Sequence, residues 1–535
     1  FPRMAVYNDV EGWQNMQFWG RGEFALVFGD YEVNITVPAD HVMEATGVLQ
    51  NRNEVFTAEQ VKRWELAQKT FDKPVVIVTQ EEAIAKEKSF SDQKKTGKFK
   101  AQNVRDFGFS TSRKFIIDAM AVDLPTNKPL AISIYPKEAN PLWGNLSTKA
   151  VAHTLKTYSH HTFDYPYPKA VSVSAEDQGM EYPMICWNYG RPDETGFVSD
   201  RVKYGMLGVI IHEVGHNFFP MIVNSDERQW TWMDEGLNTF LEYLAETSFD
   251  PNFPASRGPA KNIVPYMKGN QQYLEPIMTN SENIYNFGAN AYGKPATGLN
   301  ILRETIMGHE LFDHAFKTYA NRWKFKHPTP EDFFRTMEDA SAVDLDWFWR
   351  GWFYSTDFTD ITIKDVKQYY VIEQDPKEAK AQFNRRGRKI GDENQPMLKM
   401  VLEGATDFKP ELKNGFDYSK VQALTDYLSK NYTAEEIAKL NAPKFFYEVE
   451  FTKPGGLIMP IIVELQFEDG TSETQTFPAQ IWRRNNETAK KVFATSKKVV
   501  KIQLDPKLET ADVDVTNNFW PVAEVESKFD SLEKK

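Results

Sequence analysis

Residues 208–220 read GVIIHEVGHNFFP, with His212 and His216 four positions apart and Glu213 directly after the first. Four residues are close to one helical turn, so two imidazoles at that spacing can reach one point beside a helix. Leu207, Ile211, Val214 and Phe218 recur at intervals of four, three and four, which predicts a core-facing stripe with the histidines on its flank. Pro220 is expected to end the helix. Glu213 falls about 100° round from His212, poorly placed as a ligand but close enough to act as a base on water. This is the H-E-x-x-H pattern of two nitrogen ligands and a carboxylate base. The competing reading is two core histidines with ordinary hydrogen bonds.

A catalytic zinc usually takes three protein ligands and leaves a fourth position for water. The stretch WTWMDEGLNTFLEYLAE (230–246) offers the third. Leu237, Phe240, Leu241 and Leu244 form its apolar stripe, while Glu235, Asn238 and Glu242 share another face. Glu235 follows His216 after eighteen intervening residues. Asp234 has two readings: with Thr231 it has the form of a helix capping box, or it orients a ligand histidine from outside the metal. Asn238 and Glu242 are weaker candidates for such orientation.

A further stretch, AVSVSAEDQGMEYPMICW (170–187), alternates as a strand, turns, and continues extended. Pro183 marks the second part as an edge strand, since proline cannot donate to an interior ladder. An open edge can pair with an extended peptide. Glu181 on that edge either holds a cationic group or simply faces water, and Gly179 permits close backbone approach.

The elements that must position these residues are bounded by the bulk composition. A chain of 535 residues suits two to four domains, and 41% apolar with 26% charged residues describes a globular protein. The net charge of -12, with no basic block, excludes an ordinary nucleic-acid binder. Cys186 stands alone, so no intrachain disulfide forms and any metal must be held by His, Asp or Glu. No apolar run reaches the roughly twenty residues of a membrane span. Residues 1–127 alternate in the β manner, 128–358 turn mainly helical after two or three strands, and 359–535 return to strands. That last region is interrupted by a polar stretch near 374–397 and a helix near 419–440, and FEDGTSETQTF reads as a hairpin turning on Asp-Gly.

HExxH, eighteen residues, then Glu within W-x-(D/N)-E-G resembles the gluzincin zinc peptidases, specifically the aminopeptidase N family. Phe219 and Ile222 stand where the metzincin pattern requires Gly and His. Gly179, Met180 and Glu181 resemble the family's G-x-M-E-N exopeptidase motif, with Gln178-Gly179 in place of Gly-Ala and Tyr182 in place of Asn. NAYGKPATGLNILRETIMG resembles the family's tyrosine segment.

The resemblance implies a multidomain α+β protein: an N-terminal saddle-type β domain (1–127) lacking its first strands, a thermolysin-like, mainly helical catalytic domain (128–358), and a C-terminal β-sandwich-like domain (359–535). It further implies one Zn²⁺ on His212, His216 and Glu235, Glu213 as the base and Tyr292 as donor to the oxyanion. Glu181, with Gly179 and Met180, would bind the substrate amine, and the family's second amine anchor is expected ahead of residue 1. Lys294 is expected to face solvent. The expected function is a zinc aminopeptidase acting on peptides with a free N-terminus. The alternatives are a related zinc hydrolase, either an endopeptidase or an epoxide hydrolase, and an inactive scaffold of the same fold. An extracytoplasmic bacterial setting, periplasmic or membrane-associated, is expected, with the cytoplasm as the alternative.

Overall fold

Alternation in the first 127 residues produces strands, but not strands alone. In the computed structural model, which describes residues 6–8, 10–23, 26–176, 179–371, 398–401, 422–441 and 445–521, Gly29–Pro38 pairs antiparallel with Lys94–Val104, which also pairs with Val48–Leu49. Helices Ala58–Ala67 and Gln80–Glu87 lie within this β region, and the alternation did not announce them. Each opens with a reciprocal capping box, Thr57 with Gln60 and Thr79 with Glu82, which satisfies two N-terminal amides at once.

A mixed six-stranded sheet supports the chemistry. Its strands are β1 (Val75–Val78), β2 (Ile116–Ala121), β3 (Leu130–Tyr135), β4 (Lys169–Ser174), β5 (Met180–Tyr182) and β6 (Ile185–Asn188), in the spatial order β5-β6-β4-β3-β2-β1. β3, β4 and β6 run parallel, and the remaining pairings are antiparallel. Every residue of β2, β3 and β4 is buried, as a sheet covered on both faces requires. Residues 127 and 128 lie between β2 and β3, adjacent strands of this one sheet. The edge position of β5 agrees with Pro183, which follows it directly.

Four helices matter to the site: α1 (Leu142–His161), α2 (Asp200–Gly215), α3 (Glu235–Phe249) and α4 (Lys294–Ile301). The Ser199 hydroxyl caps α2 by accepting from the Val202 amide at 3.2 Å. Leu207, Ile211, Val214 and Phe218 are all fully buried, each contributing roughly 1.5–3 kcal/mol on removal from water. The regular helix stops at Gly215, not at Pro220. Phe218 N–H donates to Gly215 O at 2.8 Å and Met221 N–H to His216 O at 3.0 Å, so the chain leaves the helix through tight turns before the proline is reached.

The chain forms two compact units, Phe1–Thr356 and Asp357–Lys535. The second contains two four-stranded antiparallel sheets, one built on Thr362–Val371 and Phe445–Thr452, the other on Ile461–Phe467 and Val499–Leu504. The FEDGTSETQTF hairpin is present, with Gln466 opposite Ser472 and Gly470 at φ 81° in the turn. Helices Gln422–Asn431 and Ala434–Asn441 occupy the expected helical position. The polar stretch near 374–397 and Gln178 lie outside the described residues. Among the described residues, no helix is long and apolar enough to cross a membrane.

Candidate active site

The last turn of α2 and the first turn of α3 bring three donors to one point. His212 Nε2 lies 3.0 Å from His216 Nε2 and 3.1 Å from Glu235 Oε2, and His216 Nε2 lies 3.2 Å from that same oxygen. Ligand atoms around a tetrahedral zinc with bonds near 2 Å sit about 3.3 Å apart, so the donor spacing fits such an ion. The chemistry fits as well. Two ring nitrogens and a carboxylate oxygen facing one another present three lone pairs, more than one shared proton can satisfy, whereas a divalent cation satisfies all three.

Each ligand is held from behind. Glu242 Oε2 lies 2.9 Å from His212 Nδ1. His216 Nδ1 donates to Phe219 O at 2.9 Å and lies 2.9 Å from Asp234 Oδ1. Such partners set the tautomer that leaves Nε2 free to bind metal. Asn238 reaches back to α2, its amide donating to His212 O at 2.8 Å while its oxygen accepts from Tyr158 at 2.9 Å. Of the two readings of Asp234, the structure gives the histidine partner. Residues Thr231–Met233 form a separate 3-10 turn, Asp234 is itself the N-cap of α3, and its side chain makes no capping hydrogen bond.

The surrounding charge favours a cation. Burial alone would lower His212, but the carboxylate of Glu242 and the bonds to Glu235 and Glu242 override it and push the imidazole up to about 10. His216 moves the same way: burial opposes the shift, and Glu181, Asp234 and Glu235 drive it. Burial raises Glu213 to about 8 against the pull of His212.

Glu213 is buried, and its Oε2 has no hydrogen-bond partner. An ideal Cβ at position 179 would stand 2.3 Å from Glu213 Oε1, so glycine there makes room for the glutamate itself. Glu181, Glu213 and His216 each place a ligating atom within 4.8 Å of the other two, and Glu181 Oε1 also lacks a partner. The alternation of β5 sends Glu181 to this side and leaves Met180 and Tyr182 beside a separate groove with Phe107 and Trp187.

Tyr292 arrives on a π-helical turn, Gly288–Gly293, immediately before α4, an irregularity that often marks functional sites. Its hydroxyl donates to Glu235 Oε1 at 2.6 Å and its ring stacks on His212 at 5.7 Å. Arg257 covers the ring's other surroundings, 4.5 Å from the centroid. Burial first, then the Glu235 carboxylate, hold the Tyr292 hydroxyl well above its ordinary pKa, so it remains a donor. Lys294 is buried, not exposed, and its Nζ donates to Ser355 O at 3.2 Å. A cavity of about 710 Å³ opens over these groups, bordered by His212, Glu213, Glu242, Tyr292, Tyr189 and Arg257.

Two site residues, Glu23 and Glu227, have no counterpart in the sequence reading. Glu23, from the segment ahead of Gly29–Pro38, lies with Glu181 and Glu227, one carboxylate oxygen of each within 4.8 Å of the other two. Burial, then the charges of Glu181, Glu227, Asp234 and Glu235, push its carboxyl well above the usual range. No local periodicity or motif surrounds Glu23, so only its long-range packing reveals it.

Residues 147–352 match the peptidase family M1 domain. Over 273 residues the chain is 21% identical to aminopeptidase 2, mitochondrial, of Saccharomyces cerevisiae, covering 47% of this chain and 28% of the yeast protein. Over 230 residues it is 25% identical to glutamyl aminopeptidase of Rattus norvegicus, covering 40% of this chain and 24% of the rat protein. The matched region thus spans about a quarter of the length of these curated relatives. Among solved structures, the chain resembles Legionella pneumophila aminopeptidase A in complex with aspartic acid, with a TM-score of 0.54 and 12% identity over 96% of this chain and 48% of that one. At that identity the likeness is one of fold.

Proposed function

Starting from a peptidase family M1 domain that holds the whole three-donor cluster, we propose that the protein is a zinc aminopeptidase that removes the first residue from peptides. The observation that carries this reading is the convergence of His212, His216 and Glu235 on one point with the unpartnered carboxylate of Glu213 beside it.

His212, His216 and Glu235 would hold the ion, which when bound supplies Lewis acidity to a carbonyl and lowers the pKa of water toward about 7. Glu213 accepts the proton of the attacking water and delivers it to the leaving amine. Burial raises its carboxyl above the ordinary carboxylate range, which strengthens it as a base. The Tyr292 hydroxyl donates to the carbonyl oxygen as negative charge gathers there. Glu181 receives the substrate ammonium, with Gly179 and Met180 forming the adjoining backbone, and this contact sets the cut at one residue from the amine. Asp234, Glu242 and Asn238 act through the ligands they orient.

The test compares a short peptide with its N-acetylated form. Cleavage of the free peptide alone, with release of its first amino acid, is expected. Equal rates on both forms would end the exopeptidase reading.

A further inference from the structure

Gly179, His212, Glu213 and Tyr292 border the cavity of about 710 Å³, and Glu181 does not. A peptide whose amine rests on Glu181 therefore runs past Glu213 and Tyr292 and enters the cavity with the residues that follow the cut. One face of α2 lines that space, where Arg201, Tyr204, Gly208 and His212 recur at helical spacing.

Two cations border the cavity with their donors unspent. Arg257 is half-buried against the Tyr292 ring, 4.5 Å from its centroid. Among the described residues, neither Arg257 nor Arg201 makes a hydrogen bond or an ion pair with a protein group. Each guanidinium carries five N–H donors. The carboxylates nearby do not supply the missing partner. Glu242 is engaged with His212 Nδ1 at 2.9 Å. Burial, then the charge of Glu242, raises Glu246 to about 9, so it keeps its proton at neutral pH.

Arg257 is held in place from both sides. Gly258 has φ +100°, and a Cβ there would stand 2.4 Å from the Tyr243 ring, so only glycine lets this turn close onto α3. The Tyr292 ring fixes the plane of the guanidinium from the other side.

We propose that Arg257 is a specificity-determining residue that binds a carboxylate on the residue following the cut, either the chain end of a dipeptide or an acidic side chain. The inference rests on the aminopeptidase reading above and extends it to the leaving side of the substrate. A guanidinium matches a carboxylate with two parallel hydrogen bonds, and an aromatic face that orients it lowers the cost of forming both. The reach agrees. Tyr292 donates to the scissile carbonyl in that reading, and consecutive Cα atoms are about 3.8 Å apart, so a carboxylate one residue past the cut comes level with the group stacked on the same ring.

The test uses the zinc-loaded full chain and two substrate pairs, L-Ala-L-Ala against its amide and L-Ala-L-Asp amide against L-Ala-L-Asn amide. In at least one pair the acid should be cleaved with a kcat/KM on the order of ten- to a hundredfold above its neutral partner, the span of a hydrogen bond to a charged group. Which pair responds tells the chain end from the side chain. Arg257→Gln should bring that ratio close to one. Calorimetry reads the site without turnover: N-acetyl-L-aspartate, which carries both kinds of carboxylate and no amine, should bind the wild type more tightly than N-acetyl-L-asparagine amide, and R257Q should erase most of the difference. If R257Q does not fold, as judged by its melt and zinc content, Arg257→Lys takes its place. It keeps the charge but loses the fork, and the acid preference should fall severalfold. A wild type without acid preference in either pair overturns the proposal, as does a folded variant that keeps the wild-type ratio or the wild-type calorimetric difference. A calorimetric difference that depends on Arg257 in a protein that cleaves no free peptide would refute the aminopeptidase reading and leave the carboxylate site standing.

Discussion

Two buried polar clusters lie within the first unit, and they end differently. Beneath the sheet, Asp118 on β2 accepts from Tyr135 at 2.6 Å and from Thr148. The hydroxyls of Thr148, Ser133 and Ser147 continue that chain at 2.7 Å per step. None of these five side chains has a buried polar atom without a partner. Around the candidate metal centre, by contrast, Glu181, Glu213 and Glu227 each keep a carboxylate oxygen unpartnered. The first cluster consumes its own lone pairs and is complete as folded. The second leaves acceptor capacity open, which is what the proposed function would use. Closed networks specify structure, and open ones specify binding.

The largest effect that tests this contrast is removal of the metal. A chelator should abolish hydrolysis and lower the melting temperature, and added Zn²⁺ should restore both. At free zinc a hundred times its dissociation constant, the stabilisation is about 2.7 kcal/mol. Scanning calorimetry against zinc concentration measures it, and an unmoved melt would place the metal's contribution elsewhere.

Glu213→Gln should come next, lowering kcat/KM by roughly 10²- to 10⁴-fold with zinc content unchanged by elemental analysis. Because Glu213 Oε2 is unpartnered, the variant should melt no lower than wild type. A large loss of stability would mean that the cluster is structural after all.

Tyr292→Phe removes the donor while keeping the ring on His212. A loss of about 10²- to 10³-fold in kcat, with KM little changed, is expected from steady-state kinetics.

The closed cluster should answer in stability alone. Burial, against the bonds from Thr148 and Tyr135, raises Asp118 from 3.8 to about 6. The native carboxyl therefore keeps a proton that the unfolded chain has already released. Stability from this group is complete below pH 3.8 and declines by roughly 3 kcal/mol as pH rises through 6. Urea midpoints from pH 3.5 to 7 should show wild type losing ground to Asp118→Asn over that window, with hydrolysis at neutral pH the same in both. Parallel midpoints across the range would contradict the assignment.

The candidate metal ligands were legible because they obey local rules. His212 and His216 are one turn apart, and the apolar stripe around them says which flank faces inward. Other features followed rules that were present but passed over, such as the capping boxes at Thr57 and Thr79 that start helices inside an alternating region. Asp234 shows a local rule overridden: a capping-box spacing is present, yet the 3-10 turn at Thr231–Met233 puts the aspartate at the cap position itself and turns its carboxylate to His216, the other of its two readings. Lys294 was expected in water, but Ser355 O and the Trp352 ring, packed from much later in the chain, enclose it.

By itself, then, the amino-acid sequence determined what a helical period can encode: two imidazoles on one turn, a glutamate beside them, a further carboxylate opening the next amphipathic helix, and the residue types that exclude thiolate chemistry. Tertiary structure alone decided which carboxylates stay unpartnered, that Glu242 backs His212 while Asp234 backs His216, and that Glu23 meets Glu181 and Glu227 across some two hundred residues of chain. The reason is physical. Periodicity fixes neighbours within a few residues, whereas the pairing or orphaning of a buried charge depends on packing between segments that no local pattern relates.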